Sequence, residues 1–354
     1  APNHGSHRRR RYELIEDLEE ASVHLVVERV VLVDVVIRDR GDTAINLELH
    51  FVSQPNSQSS DGGICSLAGL AGALHIGQTP AMEITSLGNC PSTLLTDPMA
   101  IDGDKFRAYL DATQEAGFGT VSLWAFHVMF AGDSAAAYVK DSDLTVEAVE
   151  ASIGWTTGPS DALDAEIEAL ISTGTDLGAH IVGAACLGPI EDRGAAIEGL
   201  ASIAAQAEAA DMLIALEFLP WTGVPTFAVA NEMCIETGQL NATVLLDTFH
   251  WVRQPGGPDL DLLRSVPGDR VAYVQLCDPS AAAEMPLDQV ENEAMTARRA
   301  PGSGAVDYAS IWEALDHIGS APFVAAEVFS RDLDATGPAS MAKVLHDACR
   351  TVLP

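Results

Sequence analysis

From about residue 81 onward, short apolar runs alternate with longer stretches whose apolar residues return every three or four positions. Runs of Val, Ile, Leu and Ala bounded by polar residues read as buried strands, and the 3.6-residue period reads as helices packed on one face. Strands are expected at 82–86, 120–124, 145–150, 180–184, 213–218, 243–248, 271–276 and 323–328. Helical patterns lie between them at 105–116, 161–173, 194–209, 228–237, 308–318 and 339–352. Strands alternating with helices imply repeated βα units and a parallel sheet. Eight such units suit a closed (β/α)8 TIM barrel better than an open doubly wound sheet, and no G-x-G-x-x-G follows the first strand. The barrel is expected over 78–354, preceded by an extension, 1–77, that does not share the rhythm. Within the extension, a basic run at 8–11 is followed by acids at 13–20, the pattern of a solvated tail. The valine-rich segment 23–38 suits a strand or hairpin on the barrel's outside, and 54–63 reads as a flexible linker. No function is assigned to the extension.

Composition agrees with one folded domain and narrows its partners. At 354 residues, 47% of them hydrophobic, the chain can build a barrel of the usual ~250 residues and more. Fifty-one acidic against 19 basic residues give a formal charge of −32, a field that repels nucleic-acid phosphates and anionic lipid. Neither nucleic acid nor membrane is an expected partner. The carboxylates are scattered through helical patterns such as 161–168, which makes them a solvated surface and not a metal store. Six widely spaced cysteines, Cys65, Cys90, Cys186, Cys234, Cys277 and Cys349, form no C-x-x-C pair and read as reduced thiols. No apolar run reaches the roughly 20 residues that cross a bilayer, and the apolar segment 64–76 is too far along to be an ordinary signal peptide. A cytoplasmic location is expected.

In a parallel barrel the reactive groups sit at the C-terminal ends of strands, so polar residues that close apolar runs are the ones to collect. Leu213-Ile-Ala-Leu-Glu217, Val244-Leu-Leu-Asp247, Val271-Ala-Tyr-Val-Gln275 and Val324-Ala-Ala-Glu327 end strands five to eight. Each alone reads as a helix cap or an ion-pair partner. Together, three acids closing apolar strands would repel one another unless a cation or protons neutralised them, and their hard oxygens suit Mg2+ or Mn2+. His250, in Asp247-Thr-Phe-His250, lies in the loop over the mouth, where it could ligate a metal, hold a substrate hydroxyl or serve as acid/base; orienting Asp247 is its structural alternative. Arg253 is a candidate for a substrate oxygen, against a surface ion pair. His127 and Glu150 close strands two and three and face substrate or core. Arg299, before Pro301-Gly-Ser-Gly304, is placed to close over the site. Asp278 reads as a turn aspartate or a support for the ligands, and Trp124, Trp155, Trp221 and Trp251 as packing residues or an apolar wall.

These segments resemble the sugar isomerase/epimerase-like superfamily of xylose-isomerase-type barrels. The likeness is carried by Ala215-Leu-Glu-Phe-Leu-Pro220, Asp247-Thr-Phe-His250 with Arg253, Tyr273-Val-Gln-Leu-Cys-Asp278, Arg299-Ala-Pro-Gly-Ser-Gly304 and Ala326-Glu-Val-Phe-Ser330, over roughly 80–354. The resemblance implies one divalent metal, Mn2+ or Mg2+ with Co2+ as a further candidate, held by Glu217, Asp247, Gln275 and Glu327. It also implies that Glu217 and Glu327 transfer protons on opposite faces of a sugar-like substrate, with His250 as the third catalytic residue. His127, Glu150, Arg253 and Arg299 are then the substrate-binding candidates. Where Gln275 stands, sugar epimerases of this superfamily usually carry histidine; glutamine resembles the branch of bacterial 3-dehydroshikimate dehydratases.

Removing a proton α to a carbonyl creates an enediolate, whose charge a Lewis acid stabilises. Reprotonation gives isomerisation or epimerisation, whereas loss of a β-group gives a lyase acting on 3-dehydroshikimate or an oxidised C-glycoside. A catalytically silent barrel that binds a sugar or a small partner subunit is the rival outside enzymes. A metal-dependent nuclease is disfavoured by the acidic charge and by too few histidines for a multinuclear zinc site. A homo-oligomer is compatible with all of these readings.

Overall fold

The computed structural model describes residues 86–354 apart from Asp133 and residues 281–284, together with Ile84 and the backbone of three earlier strands. It divides into two units, Ala1–Ile76 and Gly77–Pro354, each described by itself. In the first, β1 (Ala21–Val27), β2 (Val31–Arg38) and β3 (Asn46–Val52) form an antiparallel sheet in that order. Val27 pairs with Val31, so the valine-rich segment is a hairpin, as its β-branched residues favour, and β3 adds a third strand beside it. The basic run and the 54–63 segment lie outside the described residues.

The second unit is a closed barrel of parallel strands. These are β4 (Gly88–Asn89), β5 (Thr120–Trp124), β6 (Thr145–Ser152), β7 (Ile181–Ala185), β8 (Leu213–Glu217), β9 (Ala242–Asp247), β10 (Val271–Leu276) and β11 (Phe323–Ala326). Helices follow the strands, and several of them begin where a side chain caps the first turn. Asp102, Ser160, Asp192, Thr226 and Asp307 each accept a hydrogen bond from a backbone N–H of the first turn. Gly117 and Gly178 close two of these helices in the left-handed conformation.

One strand departs from expectation. The first barrel strand is Gly88–Asn89, not 82–86; Ile84 and Ser86 are outside any strand, and the remaining residues of that run lie outside the described set. Glycine and asparagine are poor strand formers, so the apolar pattern pointed to the run before them. Gly88 is needed for the close approach, since a Cβ there would lie 2.6 Å from the Phe323 ring.

Strand periodicity positions the site. Ala148, Ile181, Ala215, Leu245, Tyr273 and Ala325 form a separate apolar cluster contributed by β6 to β11, with small residues set among large ones. Such mixing fills the inside of a narrow barrel. Side chains two residues apart on a strand share a face. One step further toward the C-terminal ends therefore stand Glu150, Gly183, Glu217, Asp247, Gln275 and Glu327. The larger apolar cluster lies between the strands and the helices.

Candidate functional site

Four polar side chains close β8 to β11 above that apolar layer, with Glu327 the first residue after β11. Asp247 and Gln275 are fully buried, Glu327 nearly so, and the Glu217 side chain retains 15% exposure. Asp247 Oδ1 accepts the backbone N–H groups of Phe249 at 2.7 Å and His250 at 3.1 Å, so the helix that follows β9 fixes the carboxylate. Gln275 Nε2 donates to Glu327 Oε1 at 3.1 Å, which leaves the amide oxygen aimed elsewhere. The Gln275 Oε1 is buried and has no hydrogen-bond partner among the described residues.

The cation facing these carboxylates is Arg298. Its Nη1 donates to Asp247 Oδ2 at 2.6 Å and to Glu327 Oε2 at 3.2 Å, and its Nε to the Ala294 carbonyl at 2.7 Å. The guanidinium lies over the rings of Phe249 and Phe329, at 5.3 and 5.2 Å. Sequence reasoning chose Arg299 instead. The segment 297–299 is a connector stitched on both sides by isolated β-bridges: Arg298 N–H bonds the Phe329 carbonyl, while Asp278 and Arg299 exchange two backbone hydrogen bonds. Side chains alternate along such a segment, so Arg298 is buried in the site and Arg299 is exposed, donating to the Ser303 carbonyl. Nothing in the motif gives that phase.

His250 is fully buried, with Nε2 3.3 Å from Glu217 Oε1 and 3.5 Å from Arg298 Nη2. Trp221 packs edge-on against its ring at 5.3 Å. Glu217, Asp247 and His250 offer ligand atoms within 4.8 Å of one another, and so do Cys90, Glu150 and Glu327. Glu150 accepts a hydrogen bond from Ser122 and needs the space that Gly183 leaves, where a Cβ would lie 2.8 Å from Glu150 Cγ. Cys90, which follows β4, carried no sequence signal beyond being a cysteine.

Burial and mutual repulsion perturb these acids. Glu150 is pushed up to about 7, first by burial and then by the charge of Glu217 and Asp247, against the hydrogen bond from Ser122. Burial raises Glu327 well above the usual carboxylate range, and Arg298 only partly offsets it. Burial also acts on Asp247, but Arg298, His250 and the backbone N–H outweigh it and hold the carboxyl low. A site with more carboxylates than cations fits a divalent ion. The unpartnered buried oxygen of Gln275 fits it independently, because buried polar atoms are otherwise bonded.

The remaining sequence candidates are engaged elsewhere. His127 is buried, with Nδ1 3.2 Å from the Tyr109 hydroxyl and Nε2 2.7 Å from the Pro98 carbonyl, so both ring nitrogens tie its helix to neighbouring chain. Arg253 is buried and gives Nε to Glu293 Oε2 at 2.9 Å and Nη2 to Glu293 Oε1 at 3.0 Å. Asp278 accepts the N–H groups of Ser303 and Val306, at 3.1 and 2.8 Å, and shapes the Pro301–Gly304 loop. Trp155 and Trp251 are core residues; Trp124 and Trp221 are half-buried. Cys90, Cys186, Cys234, Cys277 and Cys349 are buried free thiols, and no helix among the described residues is long and apolar enough to cross a membrane.

Comparison with known proteins places this architecture. A family model described as xylose isomerase-like TIM barrel matches residues 110–348. Among solved structures, the IOLI protein with a bound zinc atom is 20% identical, with a TM-score of 0.64 covering 75% of this chain and 97% of that one. An L-ribulose 3-epimerase is 20% identical, with a TM-score of 0.59 over 76% of this chain and 95% of its own. D-allulose 3-epimerase from Methylomonas sp., in complex with D-allulose, is 16% identical, with a TM-score of 0.59 over 76% and 97%. At these identities the likeness is one of fold. No curated protein matches the chain. The family match spans more than half of the sequence, and the chain belongs to the xylose isomerase-like TIM barrel family.

Proposed function

We propose that this protein is a divalent-metal-dependent isomerase or epimerase that moves the proton next to the carbonyl of a polyhydroxylated, sugar-like substrate. One observation carries the reading: Glu217, Asp247, Gln275 and Glu327 close four neighbouring strands, and the Gln275 oxygen is buried without a partner. Relatives of the same fold with zinc or with D-allulose support it. In this reading those four residues hold the ion, with Mn2+ or Mg2+ the favoured metals and Co2+ a further candidate. A bound divalent cation would supply Lewis-acid stabilisation of the negative charge that develops on the substrate oxygens.

The chain's own groups do the rest. Glu217 ends β8 and Glu327 follows β11, at opposite ends of the four-strand arc, so they flank whatever lies over β9 and β10. One removes the α-proton and the other returns a proton to the opposite face, which inverts the centre. His250, fixed by packing against Trp221, orients Glu217 and a substrate hydroxyl. Arg298 offers donors beside Glu327, where an oxyanion would form. Elimination shares the first step and differs only in losing a β-group; glutamine at position 275, as in dehydratase-like barrels, favours it as the second reading.

Solvent deuterium tests both. The metal-loaded protein is incubated in deuterated water with ketoses, inososes, 3-dehydroshikimate and 3-oxo-glycosides. Deuterium at the α-carbon of a product that differs from the substrate in formula only by that H-for-D exchange supports isomerisation, and loss of water or of a larger β-group supports the lyase. No exchange with any compound by fully metal-loaded protein sinks the proton-transfer reading and leaves a silent barrel.

A further inference from the structure

Five of the ten exposed large apolar side chains among the described residues sit in segments that follow β4 to β7, across the mouth from the acids of β8 to β11. Met99 follows β4, Met129 and Phe130 follow β5, Ile153 follows β6 and Leu187 follows β7. On a chain of formal charge −32, these five side chains form an apolar rim that offers contact area to a ligand, while Ile235, Leu240, Leu287, Met295 and Val344 follow β8, β10 and β11.

A row of rings joins this rim to the polar cluster. Arg298 lies over Phe329, at 5.2 Å. Phe329 is 6.0 Å from Trp124, Trp124 is 5.5 Å from Phe126, and Phe126 is 5.8 Å from Phe130. Exposure rises along the row, from 8% at Phe329, through the half-buried Trp124 and Phe126, to 63% at Phe130. A free monosaccharide at Arg298 would cover the first step and leave the outer rings bare.

Resting on the proposed proton-transfer function, we infer that the site takes a polyhydroxylated carbonyl compound carrying an aryl substituent, with the aryl group laid along Trp124, Phe126 and Phe130. Stacked or edge-on aromatic contacts stabilise beyond the area they bury, and the graded exposure gives the flat group an open end toward solvent. The two halves of the mouth then recognise the two halves of one molecule.

The test compares matched ligands on the metal-loaded full chain: methyl and phenyl 3-oxo-β-D-glucopyranoside, titrated by calorimetry. The phenyl compound is expected to bind about tenfold more tightly. Phe130→Ala, at an exposed position where loss of fold is not at issue, should shrink that ratio toward one, and Trp124→Ala should do so further. Equal Kd values for the two ligands in the unsubstituted protein overturn the inference, as does a preference that survives both substitutions. If a second copy of the chain covers the row instead, sedimentation will show a dimer that Phe130→Ala dissociates with no change in ligand preference, which also overturns it. Binding of neither compound overturns it too; solvent-deuterium exchange into free ketoses would then show separately whether the proton-transfer reading stands.

Discussion

Arg298 and Arg299 are neighbours with opposite environments, and their substitution separates the site from its surface. Removing Arg298 leaves Asp247 and Glu327 buried without their guanidinium, and breaking a buried pair in this way costs about 3–5 kcal/mol. Arg298→Ala should therefore lose stability on that scale in urea unfolding of chelator-treated protein, and added Mn2+ should restore part of it. Arg299→Ala should stay within about 0.5 kcal/mol. Equal effects of the two would mean that the guanidinium is not the counter-charge. The acids make a second comparison. Glu217→Gln and Glu327→Gln should each lower turnover by about 10²–10⁴-fold, more than His250→Ala, with metal content measured beside rate. A fully metal-loaded Glu327→Gln protein with normal turnover, beside an inactive His250→Ala, would transfer the acid/base role to His250.

At the level of elements, caps and alternation carry the local order. Asp307 caps the helix Tyr308–His317 through the backbone N–H and hydroxyl of Ser310, at 3.1 and 2.7 Å. The hydroxyl, and then the N–H, hold its carboxyl below the ordinary value of 3.8. A folded-state value below the unfolded one stabilises fully above the unfolded pKa and is lost as pH falls through the folded value. Asp307→Ala should thus cost about 1 kcal/mol at neutral pH, with the deficit shrinking below about pH 4. Asp307→Asn, which caps without titrating, should be more stable than Asp307→Ala by an amount that does not change with pH; a pH-dependent difference between those two proteins would mean that another group is responsible. The same local rules made much of the fold legible. Expected strands 120–124 and 271–276 coincide with β5 and β10, and β6 to β9 and β11 differ only at their ends. Glu217, Asp247, Gln275 and Glu327 were legible because a polar residue ending an apolar run has one place to go in a parallel barrel. Gly88–Asn89 was not, because its pairing comes from the strands beside it and not from its own residues. Arg298 was hidden because its connector returns to the mouth with a phase that no local period sets; Cys90 was hidden with the strand Gly88–Asn89 that it follows, and of the ring row Trp124 alone was singled out, as a packing residue or apolar wall.

On the scale of the whole molecule, the question is which part of the chain suffices. The barrel closes on itself through β10, β11 and β4. Each candidate ligand and proton-transfer group lies between Cys90 and Glu327, and the family match spans 110–348. The first unit has its own three-stranded sheet, in the order β1-β2-β3. We therefore propose 78–354 as the functional unit. A chain beginning at Gln78 should fold, bind one divalent ion with unchanged affinity, and keep its turnover in the deuterium assay. Circular dichroism and cooperative thermal unfolding establish the folding, and metal titration and rate are then read on the same sample. A truncated chain that unfolds cooperatively yet binds no metal and turns nothing over would show that residues 1–77 complete the site. One that keeps the metal but loses turnover alone would place their contribution at substrate binding, and the boundary of the functional unit would move to include them.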